Sequence, residues 1–290
     1  METRELRVEV EGRIVAALVV GADQGPLVVY HHGSPSSRRE VEWHHEVSRA
    51  RGVRLVGVDR PGYGASEPTV FTFASVASDA CAVADALGAT EFAVVGQSAG
   101  CGHAFATAVY APDRVTGVAV GGGSVPFLPG TPRWESLSDE DRAGLALVGI
   151  DDDEAERLLT VHDDEFLHTA AGMSDEELAL AWRGWVEPAD RRVVEAGLDR
   201  GLAVGTRECA RQGMAGWGRD NVVRMPAWPF GLDAVRCPAV AWYGRGEAVA
   251  AESVSWLLEQ DTRVDVRWVE GSGHLVMFER WLHVLESLEL

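Results

Sequence analysis

Ala93 to Gly102 read AVVGQSAGCG: an apolar run, then a serine with a glycine two places to either side, then small residues. A short apolar run of this kind suits a strand buried on both faces. Gly96-Gln97-Ser98-Ala99-Gly100 fits G-x-S-x-G, with a strand before it and a helix predicted after it. A strand that turns abruptly into a helix leaves no room for side chains beside the serine, so Gly96 and Gly100 are expected to supply that room. The bend exposes the Ser98 hydroxyl above the C-terminal edge of a sheet and points the Ala99 N–H into the same space. A plain turn that happens to contain a serine is the competing reading, and the rest of the chain has to decide.

Working outward, the first half alternates strand and helix patterns. RELRVEV and RIVAALVV flank Glu11-Gly12 as a hairpin. PLVVYHHG and VRLVGVDRPGYG are buried strands that end in glycine-rich loops. Phe73, Val76, Ala80, Val83, Ala84 and Leu87 recur at helical spacing, with Gly88 placed to end that helix. EFAVVG is a strand, AFATAVYAP a helix stopped by Pro112, and RVTGVAVGGG a further strand. From about Pro126 the pattern turns helical, with capping-box spacing at Ser174 and Glu177. CPAVAWYG and RVDVRWVEGSGH then restore strands, before a helical tail from about Leu275. The expected fold is α/β: a mostly parallel central sheet with helices on both faces and an inserted helical cap. Its parts are residues 1–125 and 231–290 as the core and 126–230 as the cap.

Composition bounds the function. The 290 residues are 46% apolar and 24% charged, as in a globular protein, and the formal net charge is −19. Such a surface repels phosphate backbones and anionic lipid, which argues against nucleic-acid and membrane partners. The start METRELRVEVEGR has no apolar core of a signal peptide. Cys81, Cys101, Cys209 and Cys237 form no CxxC pair and read as reduced, mostly buried thiols of a cytoplasmic protein. The acidic run Asp151–Glu154 reads as a solvated helix N-terminus; no histidine or second carboxylate pair completes a metal site there. Oligomeric state is not legible.

A serine hydroxyl is a poor nucleophile at neutral pH and needs a base, which in turn needs an orienting acid. His274 follows the last strand in a loop that Gly271 and Gly273 leave free to curve. Glu247 follows the preceding strand, four residues beyond Tyr243, whereas Asp233 precedes that strand. The order Ser98, Glu247, His274 suits a catalytic triad, with Glu247 its weakest member because a loop glutamate is ordinarily just solvated. His32-Gly33-Ser34-Pro35 ends an early strand. There Gly33 permits close backbone approach, Pro35 fixes the turn, and the Ser34 and Ala99 N–H groups could hold a developing oxyanion.

Together these elements resemble the α/β-hydrolase superfamily, in its serine-nucleophile, esterase- or lipase-like branch with a helical cap. GVDRPGYGASEP and PAWPFGLDAVRCPAVAWYGRGE are similar to family segments before the first covering helices and between cap and acid loop. The family more often has aspartate where Glu247 stands. The HGSP loop also occurs in epoxide hydrolases, but those use an aspartate nucleophile and this elbow carries Ser98. The resemblance implies hydrolysis of a carboxylic ester or lactone through an acyl-enzyme, with no cofactor and no metal. Trp134, Trp182, Trp185, Trp217, Trp228 and Phe230 could line an apolar pocket or pack the insertion onto the sheet. Iminopeptidase-like amide hydrolysis, perhydrolysis, carbon–carbon cleavage and non-catalytic ligand binding stay open.

Overall fold

The computed structural model describes residues 3–123 and 125–290. Eight strands form one sheet in the order β1-β2-β4-β3-β5-β6-β7-β8. They are β1 (Arg4–Val10), β2 (Arg13–Gly21), β3 (Leu27–His31), β4 (Arg54–Val58), β5 (Phe92–Gln97), β6 (Val115–Gly121), β7 (Ala239–Gly244) and β8 (Asp265–Val269). The β1–β2 and β2–β4 pairs are antiparallel and all later pairs parallel. The β1–β2 hairpin turns at Glu11 and Gly12 with φ of 51° and 79°, the left-handed pair that suits a two-residue turn.

The strand runs are apolar throughout because both faces are covered. In β3, Leu27 and Val29 face one hydrophobic layer, and Val28 and Tyr30 the other. The first layer is completed by α2 (Phe73–Ala86), α3 (Gly100–Tyr110) and α12 (Ala250–Gln260). The second is completed by α1 (His45–Ala50) and α13 (Val276–Ser287), with a 3₁₀ helix at Arg38–His44 before α1. The helices after β3 and β7 are short or mixed in pattern, and the strand signals on either side of them were the legible part.

Between β6 and β7 the chain leaves the sheet for α4 (Pro132–Glu135), α5 (Asp139–Leu147), α6 (Asp152–Leu158), α7 (Val161–Ala171), α8 (Asp175–Trp185), α9 (Arg191–Val193), α10 (Asp199–Cys209) and α11 (Ala215–Arg224). Ser174 and Glu177 form the expected capping box on α8. Asp151 caps α6, and Asp152 binds Arg219 at 2.7 Å, which accounts for the acidic run. This inserted segment has small apolar cores of its own, such as Ala155, Leu159, Val222 and Met225. It meets the main body through Val193, Leu198 and Leu202 against Leu275 and Phe278. Cys101 and Cys209 are buried, Cys81 and Cys237 only half-buried, and no disulfide joins them among the described residues.

Phe105 of α3 is 1% exposed inside the first layer. Phe105→Ala leaves a cavity under the sheet and is expected to cost about 3–5 kcal/mol, read from the shift of the urea unfolding midpoint.

Candidate functional site

The strand-to-helix turn puts Ser98 at φ 51°, a left-handed conformation strained for a residue with a side chain. Ser98 N–H donates to the Gly121 carbonyl at 2.9 Å, and the Ser98 carbonyl accepts from Cys101 N–H at 3.0 Å. A Cβ on Gly96 would stand 2.5 Å from the Gly100 carbonyl oxygen and 2.9 Å from Ala104 Cβ. One on Gly100 would run into the His31 carbonyl, so both glycines are sterically required. Gly33 is different. A Cβ there would meet no protein atom closer than 3.4 Å, so packing does not demand a glycine, and the Gly33 N–H is donated to Glu40 Oε2 at 2.9 Å.

His274 lies between β8 and α13, and its Nδ1 stands 2.8 Å from Glu247 Oε1. The Glu247 side chain is 2% exposed, that of His274 36%. Burial lowers the imidazole pKa, but the hydrogen bond to Glu247, its charge and that of Asp190 outweigh it, and the pKa is raised above 6.5. The loop is held from three sides. Asp190 Oδ2 accepts from His274 N–H at 2.9 Å and Oδ1 from Leu275 N–H at 3.0 Å. Gln97 Nε2 donates to the His274 carbonyl at 3.1 Å. Nothing local in the sequence marked Asp190, which lies 84 residues from His274.

Ser98 and His274 line one cavity of about 140 Å³ with Gly33, Ser34, Pro35, Ser36, Glu40, Gln97, Trp182, Leu202 and Leu275. Their side chains are not hydrogen-bonded to each other among the described residues. The Ser34–Pro35 peptide bond is cis. No protein acceptor among the described residues takes the N–H of Ser34 or of Ala99.

A buried ionic cluster fixes the loop that carries Ser34. Asp220, from α11, accepts from Arg60 at 2.8 Å and from the Tyr63 hydroxyl at 3.0 Å, and its other oxygen meets His103 Nε2 at 2.7 Å. Arg60 donates onward to the His32 carbonyl at 2.7 Å and to Ser34 Oγ at 3.2 Å, and Ser34 Oγ lies 2.9 Å from the Tyr63 hydroxyl. Burial opposes the Asp220 charge, but Arg60 and His103 hold its pKa well below the usual carboxylate range. Arg60 and Tyr63 belong to the DRPGYG stretch, whose role is thereby structural as well as topological.

The aromatic residues divide. Trp182 alone of the six lines the Ser98 cavity. Trp228 and Phe230 stack on each other at 5.5 Å and pack against Phe73, so they belong to the main core. Trp217 is buried with Tyr63, Leu167 and Cys209, and Trp185 is 42% exposed beside Phe166. Trp134 sits in the short helix α4, away from the cavity. Large rings gain more by packing on one another and on the sheet than by standing in an open pocket.

The geometry predicts two measurable effects at His274. Its pKa, followed by NMR titration, is expected above 6.5 and to fall in Glu247→Gln, because the charged form loses its partner. Asp190→Ala, which strips the acceptor from the buried Leu275 N–H and the part-buried His274 N–H, is expected to lower stability by about 1–3 kcal/mol in chemical denaturation.

A profile of the alpha/beta hydrolase fold matches residues 26–280. Epoxide hydrolase B of Mycobacterium tuberculosis is 37% identical over 139 residues, which cover 43% of this chain and 38% of that protein. This chain therefore aligns with well under two thirds of such a curated relative's length. In structure, an alpha/beta hydrolase fold protein from Nakamurella multipartita superposes with a TM-score of 0.66 at 21% identity, over 98% of this chain and 99% of that one. A thermophilic esterase from Thermogutta terrifontis superposes with a TM-score of 0.66 at 18% identity, over 99% and 97%. At these identities the superpositions speak for the fold alone, whereas the profile spans most of the sequence: the chain belongs to the alpha/beta hydrolase fold family.

Proposed function

We propose that this protein is a serine hydrolase that cleaves a carboxylic ester or lactone of a small to medium apolar substrate. The observation that carries the reading is Ser98, on a strained turn, sharing one cavity with an imidazole tied to the buried Glu247 carboxylate at 2.8 Å. Ser98 Oγ attacks the carbonyl carbon while His274 Nε2 takes its proton, and the Ser34 and Ala99 N–H groups stabilise the oxyanion. The imidazolium returns the proton to the departing alkoxide, leaving an ester on Ser98. Water, deprotonated by His274, then attacks that ester and releases the acid. Glu247 keeps the imidazole in the tautomer with Nε2 free and supports its positive charge. Residues 126–230 serve as the cap, contributing Trp182 and Leu202 to the cavity wall.

A serine rather than a carboxylate at the elbow favours acyl transfer over epoxide opening, although curated relatives are epoxide hydrolases. The substrate is a small molecule, and cysteines that form no disulfide among the described residues suit a reducing compartment such as the cytoplasm. No helix among the described residues is long and apolar enough to cross a membrane.

A fluorophosphonate probe is expected to label Ser98 in folded protein, located by peptide mass spectrometry. Labelling should vanish in Ser98→Ala and fall sharply in His274→Ala; an unlabelled wild type would overturn the reading. With p-nitrophenyl esters, kcat/KM should rise with pH through a pKa above 6.5, because His274 acts as a base only when neutral. Glu247→Gln should move that limb to lower pH and reduce kcat by about 10²–10⁴-fold.

A further inference from the structure

The cavity at Ser98 has a neighbour. Ser36, Glu40 and Leu202 line both it and a second cavity of about 180 Å³, whose walls include Trp43, Leu198 and Phe278. Glu40 therefore stands at the junction. Its Oε2 is anchored by the Gly33 N–H at 2.9 Å. A single carbon placed on Gly33 would lie 3.4 Å from Ser98 Cβ and 3.6 Å from Glu40 Oε1, so nucleophile and carboxyl border the same small volume.

Glu40 has no ion-pair partner among the described residues. Arg39, next to it in the chain, is tied to Glu42 at 2.7 Å, and Arg60 to Asp220 at 2.8 Å. A carboxyl held in a cavity wall without a cation is poorly compensated for lost water. Burial pushes it up to about 7, offset only in part by the Gly33 N–H, the Arg60 charge and the Tyr30 and Ser36 hydroxyls. A cation entering the cavity would supply what is missing.

We propose that Glu40 is a recognition site for a substrate ammonium group. The acyl part of the substrate carries a protonated amine one or two carbons from the scissile carbonyl, donating to the Glu40 carboxylate. Its apolar remainder runs past Leu202 into the cavity walled by Trp43, Leu198 and Phe278. The proposal deepens the acyl-transfer reading and rests on it: the substrates would be aminoacyl esters or amides.

The test uses binding without turnover, by titration calorimetry at pH 7.5 on Ser98→Ala protein. L-Leucinamide and 4-methylpentanamide differ only in the α-amine. Leucinamide is expected to bind at least about tenfold more tightly, the worth of one charge-assisted hydrogen bond. Glu40→Gln, which preserves an acceptor for Gly33 N–H, should abolish that advantage. Glu40→Asp, which withdraws the charge by one methylene, should keep part of it. Equal affinities, no binding of either amide at millimolar concentration, or an advantage that survives Glu40→Gln would each overturn the proposal. So would equally tight binding of 2-hydroxy-4-methylpentanamide, which would mark a site for a neutral donor. Failure of acyl transfer itself appears separately, as absent probe labelling at Ser98.

Discussion

One residue in a left-handed conformation organises this molecule. A serine at φ 51° cannot be held by local preference, since the side chain makes that region unfavourable. It is held because β5 lies at the centre of the sheet, between β3 and β6, and each neighbour presses on the turn. The end of β6 takes the Ser98 N–H through Gly121, and the end of β3 lies against Gly100 so closely that no side chain fits. The same contacts bring the loop after β3 beside the serine. Because the strands from β3 onward run parallel, the loops after β3, β5, β7 and β8 all open on one edge of the sheet, where ligand sites of such sheets gather.

Electrostatics at that edge is a balance of opposed effects. Burial alone would keep His274 neutral and weakly basic, and Glu247 and Asp190 more than reverse this. Glu247 acts on the ring through Nδ1, whereas Asp190 contacts only the backbone of the loop. Two carboxylates on different parts of the chain thus make the imidazole more basic, and Asp190 in addition fixes the backbone that carries it. A substitution at Glu247 therefore changes basicity with the loop backbone still held, whereas one at Asp190 changes both.

The sheet was readable because strands buried on both faces leave uninterrupted apolar runs, and the turn at Ser98 because its glycines are sterically obligatory. Glu247 and His274 were legible from their places after the last two strands, and the structure brings their side chains into contact. Glu40, Asp190 and Asp220 left no such trace. Each acts on a loop to which periodicity does not connect it, and an acidic residue on a helix looks the same whether it faces solvent or a buried N–H. The aromatic residues could not be sorted in advance for a related reason. Composition counts rings but cannot say which way they point, and of the two roles open to them Trp228 and Phe230 take the packing one, against the core. Gly33 adds a contact that motif reading does not show, the hydrogen bond of its N–H to Glu40.

Asp190 and Asp220 also bear on how freely the inserted segment can be exchanged. Each reaches out of the insertion to a different flank of the site, one to the backbone at His274 and Leu275, the other to Arg60 and Tyr63. Arg60 and Tyr63 keep contacts within the main body, to the His32 carbonyl and to Ser34 Oγ, whereas the His274 and Leu275 N–H groups have no other protein acceptor among the described residues. Grafting a different helical segment between β6 and β7 would therefore leave the buried Arg60 without its carboxylate and two loop N–H groups without their acceptor, each at a cost of about 1–3 kcal/mol. Modularity in this chain ends at those two carboxylates: a transplanted segment must bring acids at both places before it can bring a new specificity.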